Sequence, residues 1–95
     1  MGVEREVQLP GGVPPWSAVA ARLPGVQMRM IDGNLAAPDE EPEEGWREIR
    51  VARDGEMIAI KRFADRVVLV GWADPTPARQ RLTDDLARAW AEAGA

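Results

Sequence analysis

Val3, Val7 and Leu9 sit at odd positions, with Glu4, Glu6 and Gln8 between them. A period of two sends alternate side chains to opposite sides of an extended chain, so this stretch predicts a half-buried strand. Pro10-Gly11-Gly12 ends it. Pro14-Pro15 then opens a helix, because a missing backbone N–H costs nothing in a first turn. Trp16, Val19, Ala20 and Leu23 recur at i, i+3, i+4 and i+7 and share one helical face. Pro24-Gly25 stops that helix, and Val26, Met28 and Met30 alternate with Gln27 and Arg29 as a second strand. Asp32-Gly33-Asn34 reads as a turn, and residues 36–45 as an acidic, proline-punctuated, mobile loop.

The second half carries the sharper pattern. Residues 46–53 and 56–63 flank Asp54-Gly55, a dipeptide suited to a two-residue hairpin loop. That loop length sets Val51 opposite Ile58, Ile49 opposite Ile60, Glu48 opposite Lys61, Trp46 opposite Phe63 and Arg53 opposite Glu56. Such cross-strand partners each contribute about 0.2–1 kcal/mol over an Ala–Ala pair. A second turn at Ala64-Asp65-Arg66 leads into Val67-Val68-Leu69-Val70-Gly71-Trp72. This run is apolar on both faces, which predicts a central strand covered on both sides by helices or by a partner chain. Thr76 or Asp74 can cap a last helix, with Pro75 or Pro77 in its first turn and Leu82, Leu86, Ala89, Trp90 and Ala93 along one face.

The predicted order is β-α-β-β-β-β-α in one domain spanning residues 1–95. It describes an α+β fold with a mainly antiparallel, curved sheet and helices on one face. At the level of element order alone it resembles the TATA-box-binding-protein-like and helix-grip architectures, which says little about function.

Charge sharpens this picture. The net charge is −4, but Asp39, Glu40, Glu41, Glu43 and Glu44 concentrate five acids in six positions. The rest of the chain has 12 basic and 11 acidic residues, a balance of +1. A near-neutral body argues against nucleic acid as partner. No apolar run approaches the ~20 residues of a membrane span, and Met1-Gly2-Val3-Glu4-Arg5-Glu6 leads into no apolar segment. A cytoplasmic location without membrane contact is therefore expected.

The chemical inventory is narrow. The chain has no His, Cys or Tyr, one Lys, and hydroxyls only at Ser17, Thr76 and Thr83. A hydrolase triad of the usual kind, thiol chemistry and Cys-based zinc sites are excluded. Ser17 and Thr76 sit where helix capping uses them, and Lys61 sits opposite Glu48. Asp84-Asp85 point about 100° apart on a helix and form no facing pair. Gly11-Gly12 matches no phosphate-loop pattern, and Pro14-Pro15 removes the donors such a loop needs. The acidic loop lacks calcium-loop spacing. No cofactor, no metal and no catalytic residue is assigned.

Two features stand out. The register puts Arg47 opposite Arg62, a like-charge pair that needs a compensating acid, solvent or an anion; Arg50, Arg53 and Arg66 lie nearby. Trp46 and Trp72 fall at strand ends, where large aromatics favour interfaces. The candidate binding residues are therefore Arg47, Arg50, Arg62, Trp46, Trp72, Asp39, Glu40, Glu41, Glu43 and Glu44. The function they indicate is a non-enzymatic protein–protein interaction module or homodimer. The alternatives are a small-molecule or anion-binding protein, and an inhibitor or immunity-type protein presenting its acidic loop.

Overall fold

The hairpin at Asp54-Gly55 seeds the centre of the sheet. The computed structural model describes residues 3–72 and 76–95, without the side chain of Val3. Its elements are β1 (Val3–Gln8), α1 (Trp16–Ala20), β2 (Gln27–Ile31), β3 (Asn34–Leu35), β4 (Glu48–Arg53), β5 (Glu56–Arg62), β6 (Arg66–Gly71) and α2 (Pro77–Ala93). The strands form one antiparallel sheet in the order β1-β6-β5-β4-β2-β3. With two helices, this is an α+β fold. The two-residue β3 is an addition to the expected order.

Asp54 and Gly55 both have positive φ, 53° and 79°, as the hairpin turn matched to strand twist requires. Val51–Ile58, Ile49–Ile60, Glu48–Lys61 and Arg53–Glu56 pair in the expected register. The expected Trp46–Phe63 pair does not form within the strands. The Phe63 N–H turns to the Arg66 carbonyl at 2.9 Å to start the next turn, and Trp46 is drawn into the core.

Alternation along each strand separates the two faces. On the inner face Ile49, Val51, Ile58, Ile60, Val67 and Leu69 are fully buried. Helix α2 packs there against β1 and β5, and α1 packs against α2. Thr76 caps α2: its hydroxyl oxygen accepts the Arg79 N–H and its O–H donates to Glu56. The alternative cap Asp74 and the first-turn candidate Pro75 lie outside the described residues. Leu82, Leu86, Ala89 and Trp90 are buried, as the helical spacing predicts. The Trp90 ring lies 6.0 Å from Trp16 and 6.2 Å from Trp46, so three of the four tryptophans form one core cluster. The Trp90 indole N–H has no acceptor among the described residues, a cost that this aromatic packing offsets.

Ion pairs fasten α2 to the sheet. Asp84 takes Arg5 of β1, Asp85 takes Arg53 of β4 at 2.8 Å, and Arg79 takes Glu56 of β5 at 2.8 Å. The adjacent acids Asp84 and Asp85 thus serve two different strands.

Three expectations need correction. Val26, Met28 and Met30 do not share a face, because a bulge at Arg29 shifts the register between Met28 and Met30. Met28 remains in the core and Met30 pairs with Arg50 on the outer side. The extra residue of a bulge turns the following side chains over. Of the two covers expected for β6, helices or a partner chain, helices lie on the inner side alone: among the described residues no helix covers the outer Val68 and Val70. The acidic loop is tied down: Glu41 accepts the Ser17 N–H, Glu40 accepts the Ala37 N–H, and the Met28 N–H donates to the Pro38 carbonyl. Pro42 within the loop is buried. No helix among the described residues is long and apolar enough to cross a membrane.

Candidate functional site

The outer face of the sheet carries the least expected grouping. Glu4, Val70, Ala59, Arg50 and Met30 form one row across five strands. Glu6, Val68, Lys61 and Glu48 form the row beside it. On the other side lie Met57, Ala52 and Gln27. Trp72, two residues beyond Val70, brings its ring to 4.6 Å from the Arg50 guanidinium. Strand β5 is the one strand between β4 and β6, so this cation–π stack crosses it above Ala59. Ala59 is fully buried, and Val70 is 9% exposed. Trp72 itself remains 50% exposed and Met57 36%. A tryptophan and an arginine, desolvated against each other over an apolar strip, are the residue types that dominate interface energies.

The sites expected from sequence divide between the two faces. Arg50 and Trp72 meet on the outer face, while Trp46 is buried in the inner core. Arg47 and Arg62 are indeed opposed, and the Arg62 N–H donates to the Arg47 carbonyl at 2.9 Å. Their like charge is offset in part by Asp32, an acid the sequence alone does not point to, although it makes no ion pair with either among the described residues. One Asp32 oxygen accepts the N–H groups of Arg47 at 2.8 Å and Glu48 at 3.0 Å. These backbone bonds, Glu48 first and Arg47 second, hold the Asp32 carboxyl below its ordinary value against the opposing effect of burial; the Arg47 and Arg62 charges add lesser contributions. Arg62 is further engaged with the Trp46 carbonyl at 2.6 Å and with the Trp46 ring at 5.2 Å.

Arg53 and Arg66 are also occupied. Arg53 binds Asp85, and Arg66 binds Asp65 at 3.0 Å and lies over the Phe63 ring. Glu40 and Glu41 of the acidic loop are used in holding backbone, whereas Asp39, Glu43 and Glu44 are exposed. An open cleft of about 390 Å³ runs between this loop, Pro14-Pro15 and Arg62. Trp16 and Trp46 contribute to its wall, but they are 5% and 6% exposed and offer almost no ring surface.

Beside the first turns of α2, a mainly apolar hollow lies over Ile58 and Leu69, rimmed by Arg5, Arg79 and Asp84. Its volume is about 180 Å³, below the roughly 300–1,000 Å³ of small-molecule sites. Glu56 beside it is held below the ordinary carboxyl range by the Thr76 hydroxyl and then by Arg79, burial opposing. Among the described residues, no cluster of three carboxylates is placed to hold a metal ion.

Sequence reasoning passed over Met57, while Val68 and Val70 belong to the run it expected to be covered on both faces. The signal for Met57 was present: the hairpin register pairs it with Ala52, on the Arg50 face. Asp32 had no such signal, since its partners lie 15 and 16 positions away across the β2–β4 pairing. No protein-family model, no curated protein and no solved structure matches this chain.

Proposed function

We propose that this chain is a non-enzymatic protein–protein interaction module whose docking surface is the outer face of the sheet. One observation carries the reading. Strand β6 is apolar on both faces, its inner face is covered by the core, and its outer side leaves Trp72 half-exposed beside Arg50 and Met57. Burying the exposed part of such a tryptophan contributes to association in proportion to the apolar area removed from water.

The other readings have weaker support. An anion site needs free guanidinium groups converging on one point, and here the candidate arginines are divided between faces, with Arg50, Arg53, Arg62 and Arg66 engaged with carboxylates, carbonyls or rings. A ligand carrier needs an apolar hollow larger than the one beside α2. The acidic loop uses Glu40 and Glu41 to hold its own fold.

Affinity capture with the wild-type chain and with Trp72→Ser, run side by side with mass spectrometry, tests the reading. Proteins, including the chain itself, retained by the wild type and lost by the variant are the expected result. Equal retention by both baits refutes it. Far-UV circular dichroism of the variant confirms that the exposed substitution leaves the fold intact.

A further inference from the structure

We infer that the partner of the outer sheet face is a second copy of this chain, stacked face to face about a two-fold axis parallel to the strands and lying between β5 and β6. The inference rests on the reading of that face as a docking surface.

The pattern of residues across the face is the argument. Along one row, Glu4 on β1 and Arg50 on β4 stand at equal distances from the line between β5 and β6, with Val70 and Ala59 between them. A two-fold axis along that line exchanges Glu4 with Arg50 and leaves Met30, further out in the row, outside the exchange. It sets Glu4 of one copy over Arg50 of the other, twice, and brings Val70 of one copy over the Arg50–Trp72 stack that covers Ala59 in the other. The same operation brings each Trp72 toward Met57 of the other copy, because both lie one row further along on either side of the axis. Trp72 and Met57 are the exposed large apolar side chains nearest the axis at that level, Leu35 lying out on β3 and Phe63 at the other end of β5, and a thioether against an aromatic ring is a favourable contact. A two-fold interface must be self-complementary, and the stretch of this row from Glu4 to Arg50 is complementary to its own reverse.

The adjacent row opposes the fit and limits its strength. There Glu6 comes over Glu48 of the other copy, and Val68 over Lys61. Glu6 is partly neutralised within its own copy by Arg66 at 3.5 Å, and Glu48 lies cross-strand from Lys61. Aligned sheets also cross at about 30°, which carries residues away from the axis centre apart. Four strands of six or seven residues present a face of roughly 20 by 20 Å. That is about 400 Å² per copy, half the ~800 Å² per partner of a standard interface, so the dimer is weak and concentration-dependent.

Sedimentation velocity on the full chain, from about 5 to about 500 µM to bracket a micromolar Kd, tests this. A reversible monomer–dimer equilibrium is expected for the wild type. Arg50→Glu or Glu4→Arg alone faces like charges across the axis and weakens the dimer about ten-fold or more. The double variant Glu4→Arg/Arg50→Glu restores it, although the Arg50–Trp72 stack is still lost. That rescue separates a contact between copies from a contact within one. Trp72→Ser weakens the dimer without rescue. A chain that stays monomeric throughout the range, or a dimer indifferent to these charges, overturns the inference. If the chain is monomeric while Trp72→Ser still loses a captured foreign protein, the inference fails and the docking surface stands. If neither effect is seen, both fail.

Discussion

Ala59 and Ile60 are neighbours on β5, both fully buried, and they face opposite ways. Ile60 lies in the core cluster, on the face against which α2 packs. Ala59 lies beneath one pair of side chains, Arg50 and Trp72, stacked across the strand. The inner cover is an element held by a capped helix, three ion pairs to the sheet and a cluster of three tryptophans. The outer cover is two side chains whose contact with each other supplies about 0.5–1 kcal/mol at an exposed site. Equal burial of two residues thus hides very different resistance to opening, and the weaker cover is where a partner can dock.

The largest test of that contrast is a pair of truncations. Ile60→Ala should cost about 2–5 kcal/mol in urea unfolding, because it opens a cavity that packed neighbours cannot fill. Val70→Ala on the outer face, measured on dilute monomer, should cost about 1 kcal/mol or less, since the site can relax toward solvent. Equal losses at the two positions would show the outer face to be as firmly covered as the inner one.

Next in size are the two Asp-Gly turns, which repeat the contrast with the backbone held constant. Asp32-Gly33 has φ values of 49° and 82°, and Asp54-Gly55 has 53° and 79°. Asp32 accepts two backbone N–H groups, and no such side-chain bond is made by Asp54 among the described residues. Replacing either by Ala adds the same left-handed strain, so Asp32→Ala should cost about 1–2 kcal/mol more than Asp54→Ala. Parallel unfolding curves with the same midpoint would remove the structural role of Asp32.

The same residue sets an acid-side dependence. With its folded pKa below its unfolded value near ~3.9, Asp32 stabilises the fold fully above the unfolded value. That contribution is lost as pH falls through the folded value. Asp32→Asn should therefore make stability fall less steeply than in the wild type below about pH 4. Identical acid limbs in thermal melts would contradict this. The smallest effect is expected from Arg50→Ala, which unroofs Ala59 and exposes more of Trp72. Stability should change by under about 1 kcal/mol, with a red shift of Trp emission; an unshifted spectrum would mean the stack does not shield the ring.

The elements that sequence placed well are those set by neighbours along the chain. The hairpin register followed from a two-residue loop and the positive φ that Asp54-Gly55 tolerate. The α2 stripe followed from helical spacing, and Thr76 from its place before Pro77. The misreadings have one cause. A bulge at Arg29 exists only against β4, Trp46 leaves its strand only because Trp90 is there to meet it, and Glu41 holds the loop only because α1 presents the Ser17 N–H. None of these partners is near in sequence. For the candidate site, Arg50 and Trp72 were both legible as suspects, but their meeting was not, since they lie on different strands with β5 between them.

Periodicity, turn chemistry and the absence of His and Cys were therefore determined by the sequence itself: the strand and helix types, the hairpin register, and the poverty of nucleophilic chemistry. These depend on backbone geometry and side-chain identity, which are local. Which face of β6 lies under a helix, which acid answers Arg47 and Arg62, and which tryptophan stays half-exposed were decided by tertiary structure alone. They depend on contacts between segments far apart in the chain, where small differences in packing choose among many compatible pairings.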